Sequence, residues 1–290
     1  MRLVGAASAA PCVALDIGGT KVEAALVSGD GIIGARQRLD VKLAGDNLFE
    51  EIVALVQRVR EGVEVTSLGV ACAGPMSQGG VLVSPLNIPV WREFALHDRL
   101  VEATQLRVDI EGDVRALALA EGTFGAARDL RNYASMVVST GIGGALVLDG
   151  RLVDGASGNS GHLGHLNVVP GGHLCSCGSL GCLEAEASGW AIEALTGRTA
   201  QHADASTRLR TATLVGRAVG TLASVLDFTH CFVAGSVALG FGDDFFATAT
   251  KAACEVATIG FLTGVEVRRS GIGPDGPILG AACVAWRGAS

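Results

Sequence analysis

The chain has 290 residues, 49% of them hydrophobic, and a formal net charge of −7. That length builds one large domain or two ordinary ones with ample core. An acidic balance with only three lysines (Lys21, Lys42 and Lys251) argues against a nucleic-acid surface. No run reaches the roughly eighteen apolar residues of a membrane span, so the chain is expected to be soluble, without a membrane partner.

The opening MRLVGAASAAP carries one arginine and an apolar part too short for a secretion signal, and reads as a disordered leader. CVALDI (12–17) is apolar and β-branched, as a buried strand requires, and Gly18-Gly19-Thr20 turns it into a second strand, VEAALVS. Between Asp46 and Arg60, Leu48, Phe49, Ile52, Val53, Val56 and Val59 recur at helical spacing, with Asp46 as the expected N-cap. SLGVACAG (67–74) is another buried strand, Trp91 to Glu102 reads as a helix, and LRVDIEGD (106–113) is a strand ending on an acid. RALALAEGTFG follows as a helix closing on glycine.

At Ala134 the pattern restarts. SMVVSTGIGGALVLDG repeats strand, glycine turn and strand, echoing VALDIGGTKVEAALV almost position for position. Two such hairpins suggest two related domains facing a shared cleft. Long helices are expected at about 204–226 and 243–258. HCFVAGSVALG (230–240) reads as strand, turn and helix start, and GPDGPILGAACVAW as a turn feeding a final helix. Strands alternating with helices indicate the α/β class.

The cysteine pattern is the most specific local signal. Cys175, Cys177 and Cys182 lie close together, with His165 ten residues before the first. Three thiolates and one imidazole make a closed tetrahedral set for zinc. Four protein ligands leave no position for a catalytic water, so the site reads as structural. Gly178 and Gly181 allow the backbone to fold back on the ion. The other five cysteines sit in apolar surroundings, which suggests a reducing cytoplasm rather than a disulfide framework.

The glycine hairpins suit a second chemistry. Backbone amides turned inward form an anion nest without side chains in the way. In DIGGTK, Asp16 is suited to a magnesium ion or its water, Thr20 to donating a hydroxyl, and Lys21 to adding charge. A plain β-turn is the alternative, and STGIGG as a second copy favours phosphate. Neither a Walker loop nor a dinucleotide fingerprint is present.

From about Val13 to the C-terminus the sequence resembles the ROK family (repressors, open reading frames and sugar kinases). DIGGTK at 16–21, AGP at 73–75, EGD at 111–113, STGIGG at 139–144, HLGH at 162–165, CSCGSLGCLE at 175–184 and AGSVALG at 234–240 carry the resemblance. It implies an actin-like (ribonuclease H-like) ATPase fold with two similar domains flanking a cleft, expected at 12–115 and 116–277, with the helix from about 278 packing back on the first. It also implies a homodimer, ATP with Mg2+, and phosphorylation of a sugar hydroxyl, with Asp113 as general base. Asp16, Gly18, Gly19, Thr20, Lys21, Thr140, Gly141 and Gly143 would handle phosphate, with Gly235 and Ser236 near the adenosine. Gly74, Asn87, Gly112, Asp113, His162, His165 and Glu184 would meet the sugar, His165 while also binding zinc. Read without the family, Asp113 is an N-cap for the helix beginning near Val114.

Two departures bear on the substrate. The usual family string E-x-G-H is here His162-Leu163-Gly164-His165, and Gly112 replaces the asparagine of the usual E-N-D, with Arg115 where a second asparagine is common. A carboxylate accepts two hydroxyl hydrogen bonds, whereas a neutral imidazole offers one donor and one acceptor. His162-Leu163-Gly164-His165 and the STGIGG hairpin also resemble the H-I-G-H and S-T-G-V-G-G strings of the members of this family that act on N-acetylmannosamine, and that resemblance implies N-acetylmannosamine as the favoured substrate, phosphorylated at the 6-hydroxyl. Glucose or another hexose is the alternative, and a catalytically weak sugar-binding protein a third reading. A repressor would need an N-terminal helix-turn-helix, and only about eleven residues precede the first strand. The phosphoryl donor is left open between ATP and polyphosphate.

Overall fold

The computed structural model describes residues 9–85 and 87–288; residues 1–8 of the leader read as disordered lie outside the described residues. The chain divides into two compact units. One is made of 1–128, 154–160 and 272–290, the other of 129–153 and 161–271.

In the first unit, β1 (Cys12–Ile17) and β2 (Lys21–Val27) form an antiparallel hairpin, and β3 (Ile33–Asp40) continues it on the β2 side. The chain then forms α1 (Val41–Ala44) and α2 (Leu48–Val59) and returns as β4 (Ser67–Cys72), parallel to β1. Helix α3 (Leu96–Thr104), strand β5 (Arg107–Gly112), parallel to β4, and α4 (Asp113–Thr123) follow. The order is β3-β2-β1-β4-β5. Every residue of β1 and β4 is buried, as their unbroken apolar runs require. Helix α2 buries Leu48, Phe49, Ile52, Leu55, Val56 and Val59, each worth roughly 1.5–3 kcal/mol relative to exposure. Strand β3, IGARQRLD, is mostly exposed. Its charges suit an edge strand, and its polar sequence gave no strand signal.

The second unit repeats this plan. Strands β6 (Tyr133–Val138), β7 (Ile142–Leu148) and β8 (Arg151–Leu152) are antiparallel in turn. After α5 (Leu183–Ala187), α6 (Gly189–Thr196) and α7 (Ala205–Leu226), β9 (His230–Ala234) pairs parallel to β6. Helices α8 (Ser236–Phe241) and α9 (Asp243–Val256) lead to β10 (Glu266–Arg269), parallel to β9. The order β10-β9-β6-β7-β8 is the first sheet's order read from its other end. Helix α10 (Gly276–Arg287) belongs to the first unit and packs on α4, β1, β4 and β5.

Two local expectations need correction. The helix read from Trp91 begins at Leu96, because Glu93 has a left-handed backbone (φ 48°) and Phe94 exchanges backbone hydrogen bonds with Val83. Trp91 instead stacks on Phe94, with ring centroids 4.5 Å apart. Asp46 does not cap α2. It lies in a short 3-10 turn, Gly45–Asn47, and the N-cap position of α2 is Asn47. The acid that caps is Asp40, whose carboxylate accepts from the Lys42 and Leu43 amides at the start of α1.

Candidate active site and metal cluster

The first hairpin turns at Gly18-Gly19-Thr20, closed by Gly18 N–H to Lys21 O at 3.0 Å, while Thr20 O accepts from Val41 N. The bends at both ends leave the Gly19 and Thr20 amides without an internal partner among the described residues. A Cβ on Gly19 would lie 2.2 Å from Asn87 Cβ, so Asn87 backs the tip of this turn. Lys21 donates to Glu23 Oε2 at 3.2 Å, so its charge is shared with a carboxylate that Arg36 also holds. Asp16, the last-but-one residue of β1, is 7% exposed. Burial, and then the nearby Asp113 carboxylate, push its pKa up to about 7, with Glu23 adding and Lys21 opposing. Two carboxylates so placed form a donor set that a divalent cation would satisfy.

Asp113 is the first residue of α4, exposed, and its Oδ1 accepts from Val114 N at 2.8 Å. The N-cap position belongs to Gly112 instead. Glu111 and Arg115, on either side, are bound to each other. Arg115 binds Glu111 through Nε at 2.7 Å and Nη2 at 3.1 Å, and reaches Asp154 Oδ1 at 2.6 Å and Ser160 O at 3.2 Å. Arg287 donates to the same Glu111 at 2.7 Å. Burial pushes the Glu111 carboxyl up, but the Arg115 guanidinium, with Arg287 and the Gly112 amide, outweighs it and holds the group below the usual carboxylate range. The unusual arginine therefore ties β5 and α4 to the 154–160 segment and to α10. Gly74 lies just beyond β4, before a cis peptide to Pro75.

In the second unit the Ser139-Thr140-Gly141 turn is gripped from outside. Glu184 Oε2 accepts from Ile142 N at 2.9 Å, Gly189 N donates to Ser139 O at 2.8 Å and Trp190 N to Thr140 O at 3.1 Å. A Cβ on Gly141 would lie 2.8 Å from Glu184 Oε2. Gly143, further along β7, pairs with Val137. The β9–α8 turn presses on the same place. Gly235 has φ 102°, a Cβ there would meet Val138 O at 2.3 Å, and Ser236 Oγ lies 3.0 Å from Ser139 Oγ. Beside them opens a cavity of about 710 Å³, lined by Thr140, Trp190, Glu193, Gln201, Ser236 and Phe241 among others. Trp190, Glu193 and Gln201 went unnoticed in the sequence. The exposed Trp190, next to a capped helix start, was the one available signal.

The candidate metal cluster is compact. The ligand atoms of His165, Cys175, Cys177 and Cys182 all lie within 4.8 Å of one another, with Cys175 Sγ 3.6 Å from His165 Nδ1 and Cys177 Sγ 3.7 Å from Cys182 Sγ. A tetrahedron with Zn–S of about 2.3 Å and Zn–N of about 2.0–2.1 Å has edges of about 3.8 and 3.6 Å, so donors and spacing both fit. Gly178 (φ 88°) and Gly181 (φ 77°) make the reversals expected of them. The Ser179 amide and the Cys175 thiol hold Cys177 below the usual thiol range, while burial and the neighbouring thiols push Cys182 up to about 11. Unequal thiols crowded together are a set whose protons a cation displaces. Exposed His162 sits just outside, its ring centroid 6.0 Å from that of His165.

Asp16, Gly18, Gly19, Thr20, Lys21, Gly74, Asn87, Gly112 and Asp113 thus fall in the first unit, and Thr140, Gly141, Gly143, Gly235, Ser236, His162, Glu184 and the cluster in the second. Within the second, STGIGG, AGSVALG and Glu184 converge on one turn.

The ROK family profile matches residues 12–287. An N-acetylmannosamine kinase of Pasteurella multocida is 33% identical over 251 residues, 80% of this chain and 83% of that protein. The structure of a ROK hexokinase from Thermus thermophilus superposes with a TM-score of 0.87 at 31% identity, covering 96% of this chain and 99% of that one. A ROK family glucokinase from Streptomyces griseus, in complex with glucose and AMPPNP, gives 0.80 at 26% identity over 96% and 99%.

Proposed function

The chain belongs to the ROK family and is a sugar kinase of the actin-like ATPase fold, and from that footing we propose that it transfers phosphate from ATP to the 6-hydroxyl of N-acetylmannosamine. The observation carrying the substrate is the His162-Leu163-Gly164-His165 string in a chain similar, over four-fifths of its length, to an N-acetylmannosamine kinase. An exposed imidazole in place of a carboxylate, and no side chain at Gly112, leave room and a donor for a 2-acetamido group.

Phosphoryl transfer needs an oriented hydroxyl, an in-line pose and neutralised phosphate charge. Asp113 takes the hydroxyl proton as base, its other side steadied by the Val114 amide. Asp16 would hold the magnesium that accompanies ATP, which when bound would supply positive charge to the phosphates. The open amides of Gly19 and Thr20, and those of Thr140 and Gly141, which likewise have no internal partner among the described residues, receive phosphate oxygens. The cavity beside Thr140 and Ser236 takes the nucleoside, with Trp190 offering an aromatic face to the base. His165, Cys175, Cys177 and Cys182 would hold zinc, and those four residues brace the loop that carries His162 and His165. Gly74, Asn87, Gly112 and Glu184 complete the sugar contacts. The working form is a homodimer.

The similarity to a hexokinase across almost the full length of both chains supports a second reading, a hexose kinase. An assay coupling ADP release to a panel of sugars separates the two. N-acetylmannosamine is expected to give the highest kcat/KM, with ATP preferred over polyphosphate. Glucose or mannose turned over tenfold better would replace the substrate. No turnover with any hexose or N-acetylhexosamine would defeat the activity itself.

A further inference from the structure

Helix α5 joins two things that the proposed function treats separately. Its N-cap residue is the metal ligand Cys182. Two residues on, Glu184 Oε2 accepts from the Ile142 amide of the second hairpin. Two further, Glu186, with no exposed side-chain surface, accepts from His173 N at 2.6 Å and contacts His173 Nδ1 at 3.0 Å, fastening the start of the cysteine loop; Arg210 of α7 binds it too. Burial pushes the Glu186 carboxyl up, and these donors outweigh it and hold the group charged. The other side of the loop leads to the same hairpin. A Cβ on Gly164, next to the ligand His165, would meet Ile142 O at 2.2 Å, and Leu183 N binds Leu166 O at 2.8 Å. Both chain segments that carry candidate metal ligands into this region therefore rest on the backbone of Ile142, one at its N–H and the other at its carbonyl oxygen.

We propose that α5 transmits the state of the metal loop to the second phosphate hairpin, with Glu184 as the positioning residue. Metal occupancy then sets nucleotide affinity even when no sugar is bound. The inference rests on the sugar-kinase reading, since it needs the hairpin to hold nucleotide phosphate. Physically, the Ile142 N–H to carboxylate bond fixes the plane of the peptide after Gly141, and with it the direction of the two open amides before it. Losing one charge-assisted hydrogen bond of this kind weakens a bound anion by about five- to tenfold.

The test is calorimetric titration of AMPPNP with magnesium, without sugar, into the metal-loaded protein and its Glu184→Ala and Glu184→Gln variants, with metal content measured for each. Glu184→Ala is expected to bind about five- to tenfold more weakly. Glu184→Gln, whose amide oxygen still accepts from Ile142 N, should stay within about threefold of the parent. Stripping the metal from the parent with a chelator should weaken AMPPNP similarly, and returning zinc should restore it. Equal affinity in the alanine variant, or equal loss in both variants, would overturn the proposal, and the pair decides it even if the stripped protein unfolds. A parent that fails to bind AMPPNP at all would sink the kinase reading as well. A parent that binds AMPPNP and phosphorylates sugar while the alanine variant is unchanged would remove this inference alone.

Discussion

The two glycine hairpins share a topology and differ in where their charge comes from. The first carries its own. Asp16 lies inside β1, Lys21 opens β2 and pairs with Glu23, and the tip is backed by the neutral Asn87. The second has Val137 at the place of Asp16 and Ile142 at the place of Lys21, and its charge is delivered from outside by Glu184. An internal carboxylate must be buried, and its pKa of about 7 records the cost. An imported one can stay half-buried and take its position from the loop that carries it. A repeated fold thus yields one hairpin with a carboxylate of its own and one that takes its carboxylate from the helix beside it.

This contrast is open to direct attack. The largest effect is expected beside the first hairpin, where Asp113→Asn should lower kcat by about 10²–10⁴ with sugar affinity little changed. Full activity in that variant would remove the base role. Asp16→Asn should likewise abolish magnesium-dependent turnover yet stabilise the ligand-free protein. The folded pKa is raised from 3.8 to about 7, so the native state holds the extra proton between those values and stability falls as pH rises through them. The substitution's gain is therefore absent near pH 4 and complete above about pH 7.5, where it reaches about 2–4 kcal/mol. Urea melts at both pH values check the sign, and a gain confined to low pH would contradict it. The smallest effect compares the two tips. Gly19→Ala meets Asn87 Cβ, which moves only with backbone, and should cost about 1–3 kcal/mol. Gly141→Ala meets the far end of a carboxylate and should cost less than about 1 kcal/mol. Thermal melts reversing that order would show that the second hairpin is the more rigid.

Much of the fold was legible because its signals are local. The apolar runs of β1 and β4, the long α7 and α9, and the repeated strand–glycine–strand pattern all announced themselves within a few residues. The edge strands β3 and β10 did not. Most of their residues face water, Val267 of β10 being the buried exception, and what makes them strands is a neighbour's open backbone. The start of α3 was misplaced for a related reason. Helical spacing ran back to Trp91, but Phe94 found a backbone partner in Val83, eleven residues earlier.

The same division runs through the site. The sequence by itself brought out the candidate metal ligands, since three cysteines within eight residues, two reversing glycines and an upstream histidine are local features. It also determined the two turns with open amides, because a Gly-rich bend between apolar strands is defined by its own residues. Only the tertiary structure decided what Arg115 and Glu184 do. Arg115, which looked like a lost sugar contact, is bound to the buried Glu111 and to the exposed Asp154, and Arg287 shares both carboxylates. Glu184 reaches a hairpin forty-two residues back. A carboxylate or guanidinium carries no mark of its partner in its own neighbourhood. The partner is chosen by which backbone groups the packed sheets leave open, and that is settled only when the chain has folded.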